Sequence, residues 1–221
     1  MDHLFLAQTG LFQGLTEQEI KSFLTCVQSR EKHFKKGEII FHSGDEVKDA
    51  GLILEGSVNV VLYHYWGGAS ILGHKEKGSL FGEAYAAIPG RELLYDVAAA
   101  EDSSILFFNM ERLLSVCSES CAFHQRIIRN MIRISAESSL SLVSRMMHIA
   151  PHTIRERLLS YLSEQAVSAG SSSFTIPFSR QQLADYLGVD RSALSNELSR
   201  MRKEGLLTVR KNAFTLLDKP S

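Results

Sequence analysis

Cysteine is scarce in this chain, three among 221 residues. Cys26, Cys117 and Cys121 offer no metal-ligand spacing beyond the four-residue step from Cys117 to Cys121, and three thiols do not make a disulfide framework. The expectation is three reduced, buried side chains and no metal site. Long apolar runs are missing too: none approaches the roughly 18 residues that span a bilayer. Met1-Asp-His-Leu-Phe5 lacks the basic start of a signal peptide, so a cytoplasmic protein without a membrane partner is expected. Net charge nearly vanishes, at −1. That figure hides an asymmetry, because residues 1–150 carry 14 Lys and Arg against 18 Asp and Glu, whereas residues 151–221 carry 10 against 7. So small a basic surplus excludes strong nonspecific binding to a polyanion and predicts a salt-dependent one, which two copies of the chain would strengthen. Cys117, Glu119 and His124 are the nearest thing to a nucleophile set, but no strained glycine turn or base-orienting arrangement accompanies them, and an enzyme is not expected.

What is present is an ordinary globular composition, 44% hydrophobic and 22% charged, in a length that suits two modest domains. Its most informative stretch runs from Ser179 to Gly205. Ser179, with Gln182 three residues on, forms a capping-box pattern. Leu183, Ala184 and Leu187 give the helix one apolar side, and Gly188 ends it. Asp190 caps a second helix, whose Leu194, Leu198 and Met201 recur on one face before Gly205 stops it. Arg191, Ser192, Ser195, Asn196 and Ser199 remain on the outside. By itself the pattern is also that of an αα-hairpin. The flanks favour more: Phe174–Phe178 precedes it, and Leu206–Arg210 and Ala213–Leu217 follow, joined across Lys211-Asn212, where asparagine tolerates the positive φ of a hairpin turn. The whole is a winged helix-turn-helix, and its short polar side chains suit directional pairing with base edges in a DNA major groove.

Upstream, Thr16 and Glu19 start a short amphipathic helix with an Ile20, Phe23, Leu24, Val27 stripe. From Glu31 on, brief β-rich runs (Phe34–Asp45, Ala50–Tyr63, Ser70–His74, Ser104–Phe108) are punctuated by glycine and acidic turn residues about every eight to twelve positions, as in a small antiparallel barrel or roll. Residues 122–150 hold no glycine or proline and predict one helix of about eight turns, on the order of 43 Å. Ile127, Met131 and Ile134 mark one seam and Ile128, Ile132, Leu142, Met146 and Ile149 another. A helix apolar on two sides has two partners: here the barrel, and the same helix of a second subunit. A monomeric core helix is the other reading. Pro151 then interrupts the helix and is the expected hinge; Thr153 caps the next helix, whose Leu158, Leu159 and Leu162 are expected to pack under the helix-turn-helix.

Gly37-Glu-Ile-Ile-Phe41, Gly44-Asp45, Leu54-Glu-Gly-Ser-Val58 and Gly78-Ser-Leu-Phe-Gly-Glu83 resemble the glycine framework of a cyclic-nucleotide-binding-like domain. With the winged helix-turn-helix at the other end, nearly the whole chain resembles the Crp/Fnr family of bacterial transcription regulators. The resemblance implies an α+β protein: an N-terminal β jelly-roll sensor (1–120), a dimerisation helix and hinge (121–150) and a C-terminal winged helix-turn-helix (151–221). It implies a homodimer on double-stranded DNA, with RNA polymerase as a further partner. Base contacts fall on Arg191, Ser192, Ser195 and Asn196, and backbone contacts on Arg180, Gln181, Arg210 and Lys211. The better-known members carry glutamate where Ser192 stands and arginine where Asn196 stands, so a half-site other than TGTGA or TTGAT is expected.

The resemblance also implies an effector pocket of Gly82, Glu83, Ala84, Tyr85, Leu93, Leu94, Tyr95 and Leu142. In cyclic-nucleotide-binding members an arginine and a hydroxyl residue hold the phosphate. Here those places fall on Leu93 and Leu94, with Arg91 two residues out of step. Leucines do not compensate the desolvation of a phosphate, so the effector is expected not to be cAMP, and its identity is unknown. An apolar or aromatic effector, or leucines that merely fill a vestigial barrel in an effector-independent regulator, are both compatible. An iron-sulfur sensor is excluded by the single N-terminal Cys26. A haem-based gas sensor would need an axial ligand, for which His33, His42, His64, His74 and His124 are candidates without a diagnostic neighbour.

Overall fold

Local hydrogen bonding sets the helix starts. In the computed structural model, which describes residues 3–115 and 122–217, the Thr16 side chain accepts from the Glu19 backbone while the Glu19 carboxylate takes the Thr16 N–H at 2.8 Å. The same reciprocal box recurs at Thr153/Glu156 and Ser179/Gln182. The elements in order are α1 (His3–Gln8), α2 (Glu17–Cys26), β1 (Arg30–Phe34), β2 (Ile39–Phe41), β3 (Asp49–Glu55), β4 (Ser57–Tyr63), β5 (Ala69–Glu76), β6 (Leu80–Phe81) and α3 (Glu83–Ala86). Then follow β7 (Asp96–Ala99), β8 (Ser103–Asn109), α4 (Met110–Leu114), α5 (Ala122–Ile149), α6 (Ile154–Ala169), β9 (Ser173–Thr175), α7 (Arg180–Leu187), α8 (Arg191–Lys203), β10 (Leu207–Arg210) and β11 (Ala213–Leu216). They divide into two compact units, residues 1–136 and 137–221.

The first unit holds two four-stranded antiparallel sheets, ordered β1-β8-β3-β6 and β2-β7-β4-β5. Strands β3 and β8 are apolar without alternation because both their faces are covered. Ile53, Ile105 and Phe107 join Val58, Phe81 and Val97 in one cluster, onto which Phe34, Ile40, Phe41 and Tyr95 pack. Leu52, Leu54, Leu106 and Phe108, the alternate residues, meet Leu6, Phe12, Ile20, Phe23, Leu24, Ile127 and Met131 in another. The Ile127 seam of α5 thus packs on the N-terminal helices as well as on barrel strands. Asn130 fixes that contact, its amide donating to the carbonyls of Leu11 (2.9 Å) and Gln13 (3.0 Å). Ile132, Leu142 and Met146 of the second seam are more than 60% exposed. Cys26 is exposed, against expectation, because it sits at the outer edge of the last turn of α2 beside the buried Leu24 and Val27; Cys117, Cys121 and Glu119 lie outside the described residues.

In the second unit Leu158, Tyr161 and Leu162 of α6 meet Leu183, Ala184, Leu187, Leu194, Leu198, Met201, Leu207 and Phe214. Leu159 faces outward instead: the buried face of α6 runs i, i+3, i+4 from Leu158, and the next residue falls about 100° off it. The sheet order is β10-β11-β9, all antiparallel, with Arg210 opposite Ala213. The turn has positive φ at Lys211 (55°), not at Asn212. Asn212 is held by Ile176, just past β9, instead: its amide donates to the Ile176 carbonyl and its own carbonyl accepts from the Ile176 N–H, both at 3.0 Å.

Candidate nucleic-acid interface and sensor cassette

The turn between α7 and α8 begins with Gly188 in left-handed geometry (φ 63°), and the Asp190 side chain takes the Ala193 N–H at 2.9 Å to start α8. The Ser192 hydroxyl and the Ala193 amide both favour the charged carboxylate and hold Asp190 below its ordinary pKa. Leu194, Leu198 and Met201 turn into the core, so Arg191, Ser192, Asn196 and Ser199 are exposed and Ser195 half-buried, as the periodicity predicts.

The hydroxyls on this face are already committed as donors. Ser192 donates to Asp190, Ser195 to the Arg191 carbonyl (2.9 Å) and Ser199 to the Ser195 carbonyl (2.9 Å). They present lone pairs outward, while Arg191 and Asn196 supply donors. Negative charge is drawn off the face. Arg155 of α6 takes Glu197 at 2.5 Å and Glu204 through two bonds of 2.8 Å, which raises its own pKa, Glu204 contributing most.

Arg180, at the start of α7, is half-buried. Its guanidinium lies 5.6 Å from the Phe214 ring centroid and donates to the Lys211 carbonyl at 2.9 Å, tying α7 to the wing tip; burial lowers its pKa. Gln181 is exposed but turned to Asp185, its amide donating at 2.8 Å. Arg210 and Lys211 are exposed on the wing. Between α7, α8 and β10 lies a cleft of about 240 Å³ lined by Arg180, Ser195, Leu198, Ser199, Arg202 and Val209. The sequence reading missed Arg202. It follows Ser195 by seven residues and Ser199 by three, a shared-face spacing that would have found it.

In the first unit Gly82 enters α3 at φ 74°, and a β-carbon there would stand 2.8 Å from the Phe41 ring. Glu83, Tyr85 and Tyr95 gather beside it: the two tyrosine rings meet edge to face at 5.4 Å, and burial, with the Tyr85 and Glu83 charges adding, raises Tyr95 to about 12. Leu93 is buried, whereas Leu94, at the bend before β7, is 62% exposed. Ala84 and Arg91 are exposed. Leu142 lies on α5 in the other unit. The five candidate histidines are scattered: His64 bonds Ser70 (2.8 Å), His74 bonds Asn59 (2.7 Å), His33 and His42 are exposed near Glu31 and Asp96, and buried His124 bonds the Leu113 carbonyl at 2.5 Å.

Residues 31–120 match the family model described as cyclic nucleotide-binding domain, and residues 156–221 the one described as Crp-like helix-turn-helix domain. Among curated proteins, the regulatory protein HlyX of Actinobacillus pleuropneumoniae is 26% identical over 219 residues, covering 96% of this chain and 87% of that protein. The fumarate and nitrate reduction regulatory protein of Escherichia coli is 25% identical over 208 residues, covering 91% and 80%. Among solved structures, CprK complexed with OCPA aligns over 89% of this chain and 91% of that chain with a TM-score of 0.66 at 17% identity. A CooA mutant from Carboxydothermus hydrogenoformans aligns over 99% and 92% with a TM-score of 0.62 at 19% identity.

Proposed function

Since this chain belongs to the Crp/Fnr family of transcription regulators, we propose that it reads DNA as a homodimer, gated by an effector other than cAMP at Glu83–Tyr95. The observation that carries the DNA reading is the outer face of α8. Its Glu197 and Glu204 are paired by Arg155, its donors come from Arg191 and Asn196, and its acceptors from Ser192 and Ser195. Asn196 pairs with adenine and Arg191 with guanine. Arg180, Gln181, Arg210 and Lys211 set register on phosphates. Dimerisation falls to the second seam of α5, where half-buried Ile128 and exposed Ile132, Leu142, Met146 and Ile149 share the 3/4 spacing of a coiled coil, with Ser135 and Ser139 filling the missing places.

For the effector, the cassette supplies an edge-to-face tyrosine pair and a carboxylate, and leucines where the nucleotide-binding members hold the phosphate. An aromatic or apolar molecule fits that chemistry better than a cyclic phosphate. The packing of Phe34, Phe41, Phe81 and Phe107 on one another in the inter-sheet core favours a second reading, a regulator whose barrel is filled and needs no effector. A thermal-shift screen separates the two, because a ligand bound only to the folded chain raises its melting temperature. The DNA assignment is tested by binding-site selection on the wild type and Asn196→Ala. The variant is expected to lose about 1–3 kcal/mol of discrimination at one base position while keeping its affinity for random duplex. Equal losses on both, or no enrichment by the wild type, overturn the assignment.

A further inference from the structure

The carboxyl end of α7 has no basic residue of its own to meet its last carbonyls. Two arginines from other helices do so. Arg145, from α5, donates through Nε to the Tyr186 carbonyl at 3.1 Å and through Nη2 to the Asp185 carbonyl at 3.3 Å, with its guanidinium 5.5 Å from the Tyr186 ring centroid. Arg157, from α6, donates through Nη1 to the carbonyls of Leu187 (3.0 Å) and Gly188 (3.3 Å), and through Nε to the carbonyl of Pro151 (2.8 Å). Four successive carbonyls at the negative end of the helix dipole are thereby satisfied by two cations. The carbonyls belong to the turn that sets the direction of α8.

The same corner is pinned a second time. His148, 3% exposed, has Nε2 at 2.5 Å from a Glu164 carboxylate oxygen and Nδ1 at 3.0 Å from the Tyr186 hydroxyl. The Ser144 hydroxyl reaches both Glu164 oxygens, at 3.0 and 2.9 Å. Three residues of the last turns of α5 therefore hold α6 and α7, and the backbone at Pro151, where the helix breaks, is braced by Arg157.

We propose that Arg145 and Arg157 are positioning residues for DNA reading: they lock the recognition helix to the last turns of α5, so that the two recognition helices of a dimer are held at a set separation. The inference rests on the dimeric DNA-binding reading above.

The test uses the full chain and the operator obtained by binding-site selection. Affinities at low salt are compared for three duplexes: the two-half-site operator, the operator with one base pair inserted between half-sites, and a single half-site. The variants are Arg145→Met, Arg157→Met and Arg145→Lys. Wild type is expected to prefer the native spacing. Arg145→Met and Arg157→Met are expected to lose that preference, with operator affinity falling by roughly tenfold. Their half-site consensus and single-half-site affinity stay as in wild type, and Arg145→Lys recovers part of the spacing preference. Unchanged spacing preference in both Met variants overturns the proposal. So does an equal loss on operator and half-site together with a lowered melting temperature, which is what a merely structural role produces. If wild type shows no preference for two half-sites over one, the dimeric reading fails first, a result distinct from either.

Discussion

Gly51→Ala isolates a single steric contact in the N-terminal unit. Gly51 sits in the middle of β3, paired with Phe81 on one side and Phe107 on the other. Its φ is not positive, so alanine adds no backbone strain there. An added β-carbon would stand 2.3, 2.6 and 2.9 Å from three carbons of the Phe81 ring, against about 3.5–4.0 Å for ordinary carbon contact. The ring is 1% exposed and held by Phe41 and Phe107, with centroids 5.6 and 6.3 Å away, so it has nowhere free to retreat. Overpacking of this kind costs about 1–3 kcal/mol. Phe81→Leu, which shortens the ring, should cost on the order of 1 kcal/mol by itself through lost packing. If the clash is the mechanism, the double variant will be more stable than the sum of the two predicts, by about 0.5–3 kcal/mol of coupling. The assay is urea unfolding followed by far-ultraviolet circular dichroism. Tryptophan fluorescence is unsuitable because Trp66, the single tryptophan, is 93% exposed at the β4–β5 turn. Additivity within about 0.3 kcal/mol, the spread of independent sites, refutes the reasoning, as does a Gly51→Ala chain as stable as wild type.

Three further outcomes follow from the site geometry. Leu142→Lys combined with Met146→Lys places charge in the exposed seam of α5 and should convert the dimer to monomer in sedimentation velocity; a persisting dimer would put the interface elsewhere. Arg180→Met should weaken binding to specific and random duplex alike and reduce the slope of log affinity against log salt by about one, and an unchanged slope would remove Arg180 from the phosphate contacts. Tyr95 holds its proton up to about pH 12, above the ordinary phenol value of 10, so the stability it confers is complete below pH 10 and is lost as pH rises from there to about 12. In Tyr95→Phe that part of the alkaline loss should be missing from urea midpoints, and a wild-type minus variant difference constant with pH would contradict the burial argument.

What was legible in the sequence was what is decided within one turn of chain. The capping pairs Thr16/Glu19 and Ser179/Gln182, the Thr153 cap, the glycine at 188 and the buried faces of α7 and α8 depend on residues three or four apart, and they stand where the spacing places them. Strand β1 was obscured because it is an edge strand rich in charged residues, Arg30-Glu-Lys-His-Phe34, whose place is set by pairing with β8; an edge is kept soluble by removing the apolar alternation that would announce it. The wing turn was located correctly, yet its positive φ was assigned to Asn212, whose amide and carbonyl are committed to Ile176, leaving Lys211 to take the strained backbone.

The same division runs through the sites. The outer face of α8 was legible because it is one helix read at its own period. The proposed effector cassette was legible only in part, since Tyr85 and Tyr95 meet across a bend that no local rule specifies, and Leu94 turns away from its neighbour Leu93. The arginine clamp had no local signature at all. Arg145 and the carbonyls it binds are 40 and 41 residues apart, and Arg157 lies 30 and 31 residues from its own. Sequence marks such arginines only as charged residues on amphipathic helices, where a solvated role is the ordinary one; what distinguishes them is the end of α7, which carries no cation of its own. The information was present in that form: α7 closes on Ala-Asp-Tyr-Leu-Gly188 with no lysine, arginine or histidine to meet its last carbonyls. A helix end without its own cation leaves its last carbonyls open to one supplied from elsewhere.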